Sequence, residues 1–110
     1  MAKNNYFVLV YRILTYLYEC FQTGEKAELD RFGPDALKIS NGYWTNILEN
    51  MAEDGLVKGV VMIPRLGGSP DLRVTNIKIT SAGIEYLQEN SMMQKAKDFL
   101  KELKEIVPGL

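Results

Sequence analysis

Over residues 4–22 the polar positions are the rarer kind, and they recur at a helical spacing. Arg12, Thr15, Glu19 and Gln22 are separated by three, four and three residues, which sets them on one narrow stripe of a helix. Almost everything between them is apolar. The pattern predicts a first helix over residues 3–23, with Asn5 as its N-cap and Gly24 as its stop. An ordinary surface helix needs an apolar face only a little wider than about 100°. This one carries more, so it is expected either at the centre of the core or shared with a partner chain.

Residues 25–32 are charged and show no clear period. Gly33-Pro34-Asp35 reads as a break followed by a helix start, because proline suits the first helical position. Ser40 is a strong N-cap for the next element, whose apolar residues Trp44, Ile47, Leu48 and Met51 fall on one helical face. Asp54-Gly55 ends it, glycine being fit for the left-handed position beyond a helix. The period then changes. Residues 56–63 and 72–79 have strand composition, and 66–71 between them are dense in turn residues. Alternation fails at Thr75-Asn76, which predicts a bulge or a frayed tip there. Thr80 caps a helix with Ile84, Leu87 and Tyr86 on its apolar side. A last helix opens with Ser91 and Gln94 at capping-box spacing and carries Met92, Ala96, Phe99, Leu103 and Ile106 as a short heptad seam, closed by Pro108-Gly109.

That order predicts an α+β fold of one domain, residues 1–110: a winged helix-turn-helix with an additional C-terminal helix. Its parts are the first helix, a helix-turn-helix over 34–54, a wing hairpin over 56–80 and C-terminal helices over 80–107. The expected core is Phe7, Leu14, Leu17, Leu48, Met51, Ile79, Leu87 and Phe99.

Several passages also carry a family resemblance. Leu37-Lys38-Ile39-Ser40 resembles the Leu-Gly-Ile-Ser turn of helix-turn-helix domains, and the passage from Ile47-Leu48 to Gly55-Leu56-Val57 resembles the run from a second helix into a wing. Ile79-Thr80-Ser81-Ala82-Gly83-Ile84-Glu85-Tyr86-Leu87 is similar to the segment that follows such a wing. With Glu89-Asn90-Ser91 and the helix after it, the whole order resembles the YjcQ family. The resemblance implies a small winged-helix protein of Gram-positive bacteria or their phages, with no established activity. Lys38 stands where many such turns have glycine, so a wider turn is expected there.

Composition removes much chemistry. With 46% hydrophobic and 25% charged residues the 110-residue chain is globular in type. It has no histidine, the commonest general base and metal ligand, and one cysteine, which excludes an intramolecular disulfide and a multi-cysteine zinc site. Cys20 lies among Leu17 and Phe21 and is expected to be a buried, inert thiol. Gly67-Gly68 lacks the spacing of a phosphate-binding loop, and Glu49, Glu53 and Asp54 read as a solvated helix face. Neither an enzyme, a cofactor, a metal nor a small-molecule substrate is expected. No run approaches the length of a membrane span, and Lys3 with the apolar run from Tyr6 lacks a small-residue cleavage site, so a cytoplasmic, unprocessed protein without membrane contact is expected.

Two functional readings follow. In the first, the chain binds double-stranded DNA as a regulator of phage or prophage type. Asn41, Thr45 and Asn46 lead the recognition helix into the major groove, where asparagine can read adenine through two hydrogen bonds. Lys58, Arg65, Arg73 and Lys78 give the wing, against Asp71, a charge of +3, favourable for phosphate contact. Three acids and no base between 41 and 54, together with a whole-chain charge of −1, weigh against it. In the alternative the chain is a protein–protein adaptor that lost or never had DNA binding. Six aromatic residues from Tyr6 to Phe21 exceed what a small core requires, so a homodimer is expected through Tyr6, Val10, Phe99 and Leu103 of the first and last helices.

Overall fold

Helix α1 (Tyr6–Thr23) begins where the Asn5 side chain accepts the Phe7 N–H at 2.9 Å and ends where the Gly24 N–H donates to the Cys20 carbonyl at 2.9 Å. A computed structural model describes residues 1–68 and 71–103. After α1 come α2 (Leu29–Phe32), α3 (Pro34–Leu37), α4 (Asn41–Glu53), β1 (Val57–Ile63), β2 (Asp71–Ile79), α5 (Ser81–Glu89) and α6 (Ser91–Glu102). The fold is α+β, with β1 and β2 forming an antiparallel two-stranded sheet. Ile106, Pro108-Gly109 and the end of the helix expected to reach 107 lie outside the described residues, as do Ser69-Pro70 of the hairpin loop. No helix among the described residues is long and apolar enough to cross a membrane.

The wide apolar surface of α1 is used inside the chain. Ten of its residues are buried, among them Val8, Leu9, Ile13, Leu14 and Leu17 at no more than 1% exposure. Helix α6 lies along it, and α5, β2, α2 and α4 also pack on it. Tyr11 and Tyr16 are buried within the chain, and so is Val10, which the sequence reading had placed on a dimer face. The reason is that α1 is covered from several sides: the twelve residues of α6 reach along about 18 Å of it, β2, α5 and α4 pack beside it, and α2 closes over Tyr16.

Of the expected core, Leu14, Leu17, Leu48, Met51 and Ile79 are buried, while Phe7, Leu87 and Phe99 are half-buried at its margin. The charged stretch before Gly33 contributes more than its pattern predicts. It forms the single turn α2, and Phe32 at its end is 1% exposed. The Phe32 ring stacks on Tyr16 at 6.1 Å between centroids and tilts against Trp44 at 6.2 Å. The Glu28 N–H donates to the Tyr16 hydroxyl at 3.0 Å, and the Arg31 guanidinium sits 5.2 Å from the same ring. Aromatic contacts of this kind add about 0.5–1.5 kcal/mol each beyond their buried area.

Proline opens α3 as expected. The turn after it is not widened, however. Lys38 itself takes the left-handed conformation at φ 58, its N–H donating to the Asp35 carbonyl and the Ile39 N–H to the Pro34 carbonyl at 3.0 Å. Those bonds and the burial of Leu37 offset a left-handed penalty of about 1–2 kcal/mol. A second correction concerns α6. Its N-cap is Asn90, whose side chain accepts the Met92 and Met93 N–H groups, and Gln94 bonds to Asp98 at 3.1 Å instead of completing a capping box with Ser91. Asn90 also closes α5, so one residue serves both helix ends.

The bulge lies where alternation fails. Lys58 pairs with Lys78 and Val60 with Val74, so Gly59 alone faces Thr75, Asn76 and Ile77. Gly59 has φ 88, and a Cβ on it would lie 2.6 Å from the Thr75 carbonyl oxygen and 2.9 Å from Ile77 Cα. Gly59→Ala is expected to cost about 1–3 kcal/mol through strain and overpacking. Urea unfolding beside Gly68→Ala, where a Cβ meets open space, checks this: equal midpoints for the two variants would refute it.

Candidate functional site

Helix α4 turns one face inward and leaves the leading end of the other to solvent. The Ser40 hydroxyl accepts the Tyr43 N–H at 3.2 Å, and the Tyr43 hydroxyl donates to the Asn4 carbonyl at 2.7 Å, tying the start of α4 to the chain ahead of α1. Trp44, Ile47, Leu48 and Met51 are buried. Asn41 and Asn46 are therefore exposed and Thr45 is half-buried. Across from them stands the outer end of the hairpin. Asn41, Thr45 and Asn46 line one cleft of about 490 Å³ with Arg65, Asp71 and Leu72.

The cleft is nearly neutral. Arg65 Nη1 donates to Asp71 Oδ1 at 2.8 Å, with both side chains more than half exposed. Such a pair contributes at most about 1 kcal/mol, so a phosphate can compete for the guanidinium, but Arg65 is not an unengaged cation. What the cleft offers is hydrogen-bonding side chains: two amides, a hydroxyl and the guanidinium. Its edge is shaped by Trp44 and Leu72.

The other three wing cations stand elsewhere. Side chains alternate along a strand, and the burial follows: Leu72 and Val74 are half-buried, while Arg73, beside Val61 in the ladder, is exposed on the opposite face. Lys58 and Lys78 are direct cross-strand partners, and both are exposed. Like charges directly opposite destabilise a sheet, and a bound anion relieves the repulsion. Arg65 thus joins Asn41, Thr45 and Asn46, while Lys58, Arg73 and Lys78 form a separate basic face.

Carboxylates follow the cleft residues along α4. Glu49 is half-buried, and Glu53 and Asp54 are exposed. From Thr45 to Glu53 the helix rises about 12 Å, which sets the acids toward its far end. Asp54 there stands near two phenols: burial above all pushes Tyr6 and Tyr86 up, an Asn50 hydrogen bond opposes this at Tyr6, the neighbouring Tyr6 adds to it at Tyr86, and the Asp54 charge adds a smaller push at both. Among the described residues no three His, Cys, Asp or Glu side chains converge to hold a metal. Burial pushes the Cys20 thiol up, and at 8% exposure little thiolate forms near neutral pH.

Lys38 was read from sequence only as a turn residue. It is exposed three residues ahead of Asn41, where a cation would meet a backbone approaching the start of α4. The residues expected at a dimer contact are dispersed. Val10 is core, Tyr6 is half-buried edge-on to Phe7 at 5.2 Å, Phe99 is half-buried, and only Leu103, at 42%, is well exposed.

Comparison with curated proteins and with solved structures returns no match in either case. The family model described as YjcQ protein matches residues 11–106, which takes in α1 from Tyr11 onward, the cleft, the hairpin and both C-terminal helices, and the chain belongs to the YjcQ family.

Proposed function

We propose that this YjcQ-family chain is a small non-enzymatic regulator of phage type that binds double-stranded DNA, with α3 and α4 as a helix-turn-helix and the β1–β2 hairpin as the wing of a winged helix. The observation that carries the reading is the cleft in which Asn41, Thr45 and Asn46 of α4 meet Arg65 of the hairpin. Helix α4 enters the major groove by its leading end, and the hairpin follows the adjacent backbone. Base contact falls to Asn46 and Asn41, while Arg65 and Lys38 take phosphates.

Salt dependence tests it, because each phosphate-bound cation contributes close to one unit to the slope of log K against log salt. Arg65→Ala is expected to flatten that slope by about one unit or less, since Asp71 already engages the guanidinium, and to weaken all sequences alike. Arg73→Ala flattens it only if DNA wraps onto the basic face of the sheet. Asn46→Ala acts differently and relaxes preference at one base pair by about 1–3 kcal/mol. Absence of binding to random duplex at about 50 mM salt, with a specific protein recovered by pull-down, replaces this reading with the adaptor.

The adaptor reading has its own observation: Glu49 and Glu53 continue the outward stripe of α4 and Asp71 lies in the cleft, an arrangement that repels phosphate and suits a basic partner. The homodimer belongs to the proposal as well, with α6 as its contact through Leu103 and Phe99 now that Val10 is accounted for. Two chains would set their α4 helices about 34 Å apart on a palindromic site. Sedimentation at micromolar concentration is expected to give twice the 12.5 kDa of the chain, and a monomer at that concentration removes the dimer.

A further inference from the structure

The outer end of the hairpin carries an apolar residue that nothing in the chain covers. Strand β1 ends at Ile63 opposite Asp71, and Pro64, which lacks an N–H, stops the ladder there. Leu66 lies just beyond and is fully exposed, whereas the other exposed large apolar residues among those described, such as Phe21, Leu29 and Val61, are only 42–55% exposed. Gly67 and Gly68 follow, and a Cβ on either would meet open space, so no side chain flanks Leu66 on that side. On the other side Arg65 has its guanidinium held on Asp71, in the cleft with Asn41, Thr45 and Asn46 of α4. A bare leucine thus sits one residue from the cleft proposed to meet DNA.

We infer that Leu66 is a wedge that enters the DNA minor groove and opens a base step, so that this chain bends the duplex it binds. The inference rests on the proposed contact of α4 and Arg65 with DNA. With α4 in the major groove and Arg65 on the phosphates beside it, the next residue outward reaches across the backbone to the minor groove. That groove is only about 6 Å wide, against about 12 Å for the major groove, and a two-stranded ribbon does not fit it. A tip of one leucine and two glycines does. Leucine has no hydrogen bond to offer a base edge; what it gains is the removal of its apolar surface from water between the bases. Wedges of this kind unstack one step and kink the duplex by about 20–90°, and pyrimidine–purine steps such as TA yield most easily. A lone leucine beside glycines offers a protein partner far less than the roughly 800 Å² that a stable protein contact covers on each side.

The test saturates duplexes of about 20 base pairs, labelled at both ends for resonance energy transfer, with the full chain at about 50 mM salt. One duplex is rich in TA steps and the other has none. Transfer is expected to rise on binding, and to rise more for the TA-rich duplex. With Leu66→Ala the rise should fall at least about threefold, while Leu66→Met, which keeps an apolar wedge, retains it. Leu66 is fully exposed, so the thermal midpoint of Leu66→Ala should match that of the unaltered chain, and a lost bend is then not a lost fold. A bound duplex that stays straight, or one that Leu66→Ala bends equally, overturns the wedge and leaves the DNA reading standing. Failure to bind either duplex overturns both.

Discussion

Trp44→Ala is expected to be the most damaging single change in this chain, at about 3–5 kcal/mol of folding stability. Trp44 is 6% exposed, and its ring is the last step of an aromatic series running from Tyr16 of α1 through Phe32 of α2 to α4. Its indole Nε1–H donates to the Phe32 carbonyl at 3.0 Å, so truncation opens a cavity and also strands a buried acceptor. Trp44→Phe separates the two effects. It keeps an aromatic ring and loses the donor, and about 1–3 kcal/mol of the loss should remain. Urea midpoints read by circular dichroism measure both, because Trp44 is the single tryptophan and its fluorescence leaves with it. A loss for Trp44→Ala no larger than that of an exposed residue would refute the packing described for α2 and α4. The same series sets the leading end of α4 against the hairpin, so Trp44→Ala should also loosen the cleft of Asn41, Thr45 and Arg65.

Leu48→Ala is expected to follow, at about 2–5 kcal/mol. Leu48 is fully buried on the inner face of α4, which packs against β1 and α1. The spread reflects how far Ile47, Met51 and the facing residues can close the space. A loss below about half a kcal/mol would show that this face of α4 is not core. Trp44 and Leu48 lie four residues apart on one helix face, so their effects should not add. A double variant is expected to depart from the sum by about 0.5–3 kcal/mol, which a double-mutant cycle measures.

Local chemistry was legible in the residues because it acts locally. A cap needs only an amide two or three residues on, and so Asn5, Ser40 and Thr80 could be named as caps from their side chains and the apolar pattern behind them. The bulge was legible for the same reason, since Asn76 at φ 52 is a residue type that tolerates the left-handed region. Where two local signals competed, the reading failed: Asn90 and Ser91 are both good caps, and only the close spacing of α5 and α6 selects Asn90.

What the sequence determined by itself, then, is the order and type of the elements other than α2 and the inward faces of α1 and α4, since periodicity and capping are properties of a dozen neighbouring residues. The tertiary structure alone decided which surfaces meet. Phe32 belongs to no apolar period and becomes core because Tyr16 and Trp44, far from it along the chain, close over it. Gly83 is buried because α5 passes so close to Leu56, just ahead of β1, and to Ile79 of β2 that a Cβ would strike the Leu56 carbonyl, a constraint no composition records. The wing cations looked equivalent until pairing set Arg65 on Asp71 in the cleft and Lys58 against Lys78 on another face. Thr15, a polar residue at solvent spacing, is buried where α5 and α6 pack on α1. Burial and charge pairing are sums over neighbours distant in sequence, and a linear pattern carries the period of a face but not the identity of what covers it.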